Sequence, residues 1–104
     1  MRTLHHVGFI TSEKKEGAVF NEGLSVWLTD INQSPNKIEF LKFEEGSCMP
    51  ELIQSQSHIA YTVPDLEEAL KDCKVLFGPA DVNEHLTIAF IEEEGVSIEL
   101  MEMK

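Results

Sequence analysis

His58-Ile59-Ala60-Tyr61-Thr62-Val63-Pro64-Asp65 repeats, class by class, an earlier stretch of the chain, His6-Val7-Gly8-Phe9-Ile10-Thr11-Ser12-Glu13. Each reads histidine, β-branched, small, aromatic, two β-branched residues, a turn residue and an acid. A second match follows further on: Lys37-Ile38-Glu39-Phe40-Leu41-Lys42-Phe43 against Ser97-Ile98-Glu99-Leu100-Met101-Glu102-Met103, with Ile-Glu-apolar at the same place. All four segments have strand composition. Self-similarity of this kind, with one unit beginning and ending alike twice, marks a chain built from two related halves.

The halves differ in length between their marker residues. From His6 to Glu39 is 33 positions (39 − 6) and from His58 to Glu99 is 41 (99 − 58), so the first half is shorter by about a helix. In the second half Leu66, Ala69, Leu70 and Cys73 recur at i, i+3, i+4 and i+7, behind acids at 65, 67 and 68 that suit a helix N-terminus. This predicts a helix over about Asp65–Cys73. The matching stretch Lys14–Gly23 has glycines at 17 and 23 and no apolar stripe, which predicts a loop or single turn. Leu24–Ile31, Ile38–Phe43, Leu86–Ile91 and Ser97–Met103 read as further strands, with 32–36 and 92–95 as hairpin connections. The expected layout is one domain over 1–104: a first half at about 1–46, a linker at 47–57 holding Pro50, and a second half at about 58–104.

Bulk composition narrows the function. A chain of 104 residues, 42% hydrophobic, is sized for one core, and its apolar residues are too scattered for a membrane span. No stretch near Met1 has signal-peptide character, so a cytoplasmic location is expected. The net charge of −11 repels a phosphate backbone, and no Lys/Arg cluster offsets it. Nucleic acid is therefore excluded as a partner. The acidity is uneven, with 5 basic and 8 acidic residues up to position 52 and 3 and 11 after it. Most of it reads as solvated surface. Cys48 and Cys73 form no CxxC motif and are too few for a disulfide scaffold, so reduced structural thiols are expected.

Side chains alternate along a strand, which places His6, Gly8 and Ile10 on one face and Val7 and Phe9 on the other. Likewise His58, Ala60 and Thr62 point one way, while Ile59, Tyr61 and Val63 point to where the helix packs. Glu39 and Glu99 stand between apolar neighbours, and such a carboxylate is either on a solvated face or aimed into a cleft. His5 competes with His6, because a one-residue slip swaps their faces; the repeat register favours His6. His85 reads as a surface-loop histidine, Glu102 as exposed, and Trp27 and Phe90 as core or pocket wall. If a pseudo-twofold relates the halves, the repeated residues sum to two imidazoles and two carboxylates. That mixed set suits Ni²⁺, Co²⁺, Mn²⁺, Fe²⁺ or Zn²⁺, with positions left for water or substrate oxygens.

The segments from His6 to Gly8, from His58 to Ala69, and from Ile88 through Gly95 to Leu100 resemble the glyoxalase, or vicinal oxygen chelate, superfamily, which also includes bleomycin-resistance proteins and dioxygenases. The second half matches nearly throughout, the first only at its first and last strands. The resemblance implies an α+β fold of two βαβββ-type halves with pseudo-twofold symmetry, forming a curved mixed sheet around a cleft, the first-half helix reduced or absent. It implies one divalent metal ion held by His6, Glu39, His58 and Glu99. Three activities fit: a metal-dependent lyase or isomerase in which Glu99 moves a proton next to a carbonyl, a metal-free small-molecule-binding module, and a ring-cleaving dioxygenase. The last ranks lowest, since it uses two histidines and one carboxylate. A small molecule is the expected partner, and the half-bare face bearing Val7 and Phe9 predicts a homodimer.

Overall fold

The computed structural model describes residues 1–104 and holds eight strands and two short α-helices, an α+β chain. The strands are β1 (Thr3–Ile10), β2 (Val19–Asn21), β3 (Val26–Leu28), β4 (Ile38–Phe43), β5 (His58–Thr62), β6 (Lys74–Asn83), β7 (Leu86–Glu93) and β8 (Val96–Met103). The helices are α1 (Glu51–Ser55) and α2 (Leu66–Ala69), and no helix is long and apolar enough to cross a membrane. The chain divides into two compact units, His6–Ser57 and His58–Lys104, the latter joined by Met1–His5.

Within His6–Ser57 the strand order is β2-β3-β4-β1, and within the second unit it is β6-β7-β8-β5. The topology is thus the same twice. The last strand of each half pairs parallel to the first, β4 with β1 and β8 with β5, and the two remaining strands add on antiparallel. Parallel neighbours require a crossover, and the intervening strands and turns supply it in each half.

In the second unit the core lies on one face of the sheet. Val63, Leu66, Ala89, Ile91, Ile98 and Leu100 are buried together, with Ile59, Tyr61, Ala69, Leu70 and Cys73 packed against them. This is the alternation the sequence predicts, with α2 covering the face opposite His58 and Glu99. The helix itself is shorter than Asp65–Cys73. Asp65 caps it by accepting from the Glu68 N–H, but Asp72 adopts φ 63° and ends the helical path, so only Leu66–Ala69 is α-helical while Leu70 and Cys73 still pack from the following turn. Glu102 is a further correction. It is half-buried rather than exposed, and its carboxylate accepts the otherwise orphaned N–H of Leu66 at 2.7 Å.

Strand β6 escapes the sequence patterns because it is irregular. It follows β7 through three register shifts, and Gly78 sits at φ 88° where a Cβ would lie 2.8 Å from the Ile88 carbonyl oxygen. The β7–β8 connection is tighter than 92–95: both strands continue to a two-residue turn, Glu94-Gly95, with positive φ at both positions as a hairpin of this kind requires.

In the first unit Lys14–Gly23 holds no helix; it makes a turn and then β2. The outer face of this sheet is aromatic instead, with Phe20 tilted against Trp27 at 5.0 Å between centroids and Phe9 at 6.3 Å from Phe40. The Lys14 and Lys15 ammonium groups lie over the Trp27 and Phe40 rings, at 4.4 and 5.0 Å from the centroids. Phe9 remains 42% exposed. The expected strand Leu24–Ile31 is cut to β3 by Ser25 at φ 50° before it and a 3₁₀ turn at Ile31–Gln33 after it, where the Asp30 side chain accepts from the Asn32 N–H. The expected linker 47–57 contains α1, which begins after Pro50 and buries Ile53; five residues are too few to show a helical period.

Candidate metal centre

The first and last strands of each half create the site by their register. In the first unit Gly8 stands opposite Glu39, and in the second Ala60 stands opposite Glu99. Each histidine lies two residues before that small partner and so shares its face. A glycine or alanine beside the carboxylate leaves open space over the strand, and the imidazole reaches across it. The result is the same pair twice: His6 Nε2 lies 3.4 Å from Glu39 Oε1, and His58 Nε2 lies 3.1 Å from Glu99 Oε1.

Both histidines are buried, at 3% and 1% exposure. The carboxylates differ. Glu99 is buried beside Phe90, its partner on β7, and that ring also meets His58 edge-on at 5.1 Å. Glu39 keeps 18% of its side chain in contact with solvent, because β3 ends at Leu28, opposite Leu41, before reaching the carboxylate's level. The pair of the second half is thus walled by an aromatic ring, and that of the first is partly wet.

The spacing within each pair suits a shared cation. Two ligands at roughly 2.1 Å from one ion lie about 3.0 Å apart at a right angle and about 3.4 Å apart at the tetrahedral angle. The observed 3.4 and 3.1 Å span that range. Imidazole nitrogen and carboxylate oxygen are also the donors that first-row divalent metals accept, so the residues fit such an ion.

His6 and Glu39 are brought together, as are His58 and Glu99, and the register sets His6 rather than His5 on the Glu39 face. His85 is a surface residue beside Glu84 at 3.3 Å and joins neither pair. Trp27 lies on the outer face and donates its Nε1–H to Glu44 at 3.0 Å, whereas Phe90 is part of the wall around His58. Both cysteines are free thiols. Ser97 was not expected: it is fully buried, on the Glu99 face two residues earlier, and its hydroxyl makes no hydrogen bond. Its one sequence signal is its place two residues before Glu99, on the same strand face.

No family model matches the sequence, and no curated protein does. Solved structures do match. A hypothetical protein from Bacillus halodurans superposes with a TM-score of 0.67 at 21% identity, over 99% of this chain and 95% of that one. Methylmalonyl-CoA epimerase from Mycobacterium tuberculosis superposes with a TM-score of 0.62 at 20% identity, over 98% of this chain and 88% of that one. At this identity the likeness establishes the fold, which is the vicinal oxygen chelate type with its helices reduced.

Proposed function

We propose that this protein is a metal-dependent lyase or isomerase that moves a proton on the carbon next to a carbonyl of a small metabolite. The observation that carries this reading is the His–Glu pair built twice in the same parallel register, 3.4 and 3.1 Å between donor atoms. A structural pair needs no copy; a four-ligand centre does. Two neutral imidazoles and two carboxylates leave a divalent ion formally neutral, so binding buries no net charge. The superposition on an epimerase supports the same class of chemistry.

In this reading His6, Glu39, His58 and Glu99 together hold one divalent cation of the Ni, Co, Mn, Fe or Zn group. Such an ion, when bound, supplies the positive charge that polarises a carbonyl and acidifies the neighbouring C–H. The residues do the rest. Glu99, whose Oε1 lies 3.1 Å from His58 Nε2, is the base that takes the proton and returns it. Phe90 excludes water from that carboxylate and keeps the His58 ring in place. Five cations are ion-paired with carboxylates (Arg2, Lys42, Lys71, Lys74 and Lys104), and Lys14 and Lys15 are laid over aromatic rings. A polyphosphate tail such as that of coenzyme A finds those seven charges already engaged and only Lys37 besides them, so we take the substrate to be a compact carbonyl compound. The exposed Phe9 on the outer face supports a homodimer closed by a twofold axis.

A second reading, a metal-free binding module, draws on one fact: His58 and Glu99 lie at hydrogen-bonding distance and satisfy one another without an ion. Proton exchange separates the two. Small α-hydroxy and α-keto carbonyl compounds incubated in D₂O with metal-loaded protein are expected to exchange the α-hydrogen, and the His58→Ala variant and chelator-treated protein are expected not to. Binding of the same compounds without exchange, unaffected by chelator, would support the second reading.

A further inference from the structure

Of the buried polar side chains of the second unit, His58, Ser97 and Glu99, only Ser97 has a placement the proposed chemistry does not yet use. Its exposure is 0% and its hydroxyl has no hydrogen-bond partner, a costly state for a polar group in an apolar sheet. It stands on β8, two residues before Glu99 and therefore on the same face. The parallel register Ile59↔Ile98 and Ala60↔Glu99, carried one residue back, sets Ser97 beside His58. The imidazole is held on its other side by Glu99 at Nε2, 3.1 Å away, and by the edge contact with Phe90.

We propose that Ser97 is a positioning residue for His58: its hydroxyl, which makes no hydrogen bond in the structure, pairs with ring Nδ1 by a side-chain rotation or through one buried water. A hydroxyl is suited to this place because it both donates and accepts. With the site empty of metal, Nε2–H donates to Glu99 and Nδ1 accepts the Ser97 O–H. When Nε2 gives its lone pair to a cation, Nδ1 carries the proton and donates it to the Ser97 oxygen. A carbonyl or carboxylate would serve only the second state. Rotation about one side-chain bond is all that either arrangement asks of the serine. The first half has no equivalent: the residue two before Glu39 is Lys37, exposed and at φ 57°. His6 is thereby an internal control.

The inference rests on the metal reading only for its effect on affinity, and the test keeps the two apart. In the metal-free protein, the ¹⁵N resonance of His58 Nδ1 is expected to move on Ser97→Ala and return in Ser97→Thr, with the His6 resonances unchanged. Zn²⁺ affinity by calorimetry is expected to fall roughly 10- to 100-fold in Ser97→Ala and to recover in Ser97→Thr. Ser97→Cys, close in volume and weak in hydrogen bonding, repeats the loss if the alanine variant folds poorly. A serine with no such role gives the opposite pattern: removing a buried unpaired hydroxyl raises stability, and neither the His58 resonance nor Zn²⁺ affinity changes, which overturns the proposal. A wild-type protein that takes up no Zn²⁺ yet shows the Ser97-dependent His58 shift overturns the metal reading and leaves this one standing.

Discussion

In the second half the outer face of the sheet is covered by α2 and its apolar stripe; in the first half the same face is covered by Phe9, Phe20, Trp27 and Phe40 with two lysines laid across them. Yet the inner faces carry the same His–Glu pair in the same register. The site therefore depends on the parallel pairing of first and last strands and on the small residue between histidine and glutamate. It does not depend on the helix. What the helix provides is a dry core, and its loss leaves the first-half sheet partly exposed.

The largest test of this contrast compares Leu100 with its counterpart Phe40. Leu100→Ala empties a fully buried position and is expected to cost about 2–5 kcal/mol in urea unfolding. Phe40→Ala removes a larger side chain from a half-buried face and is expected to cost only about 1–2 kcal/mol. Equal costs would mean that the aromatic layer is as well packed as the helix-covered core.

Next in size is the helix cap. Asp65→Ala and Glu102→Ala each free an N–H of α2, at Glu68 and Leu66, and each is expected to lower stability by about 1–2 kcal/mol. Glu102→Gln keeps an acceptor and is expected to lose less than half of that. Cap variants that destabilise the protein yet leave metal affinity unchanged would sharpen the claim that the helix supports the fold and not the site.

Much of this was legible in the sequence. The repeat aligned His6 with His58 and Glu39 with Glu99, and strand alternation then assigned their faces. Those inferences rest on a period of two that the folded strands obey. The helix limits were less legible, because Leu70 and Cys73 keep helical spacing while Asp72 leaves helical geometry. Strand β6 was hidden by Gly78-Pro79 and its bulges, which break the alternation that would reveal it. Ser97 was hidden by its neighbours, for a serine between Val96 and Ile98 reads as an ordinary strand residue until its burial is known.

Smaller still is the lysine cover. Lys14→Ala with Lys15→Ala is expected to cost about 1 kcal/mol in total and to raise binding of an apolar dye, since the Trp27 and Phe40 rings lose their shield. No change in dye binding would show that the lysines are incidental. The smallest effect concerns Arg2, whose guanidinium grips Glu93 at 2.8 and 2.7 Å and holds that carboxyl below its usual range. Both side chains are a third or more exposed, so solvent screening leaves about 0.5 kcal/mol. A depressed carboxyl pKa contributes stability above its unfolded value and loses it as pH falls through the folded one. The gap between wild type and Arg2→Ala is therefore expected at neutral pH and to close in acid; a gap that widens in acid would contradict the assignment.

The central claim is that the two His–Glu pairs serve one ion. Calorimetric titration of metal-free protein with Ni²⁺ or Zn²⁺ tests it most directly, read as ions bound per chain in wild type and in His6→Ala, Glu39→Ala, His58→Ala and Glu99→Ala. The account predicts one ion per chain in the wild type, and a loss of affinity of at least tenfold from a variant in either half. Two independent ions per chain, or an affinity that variants in one half leave untouched, would contradict it.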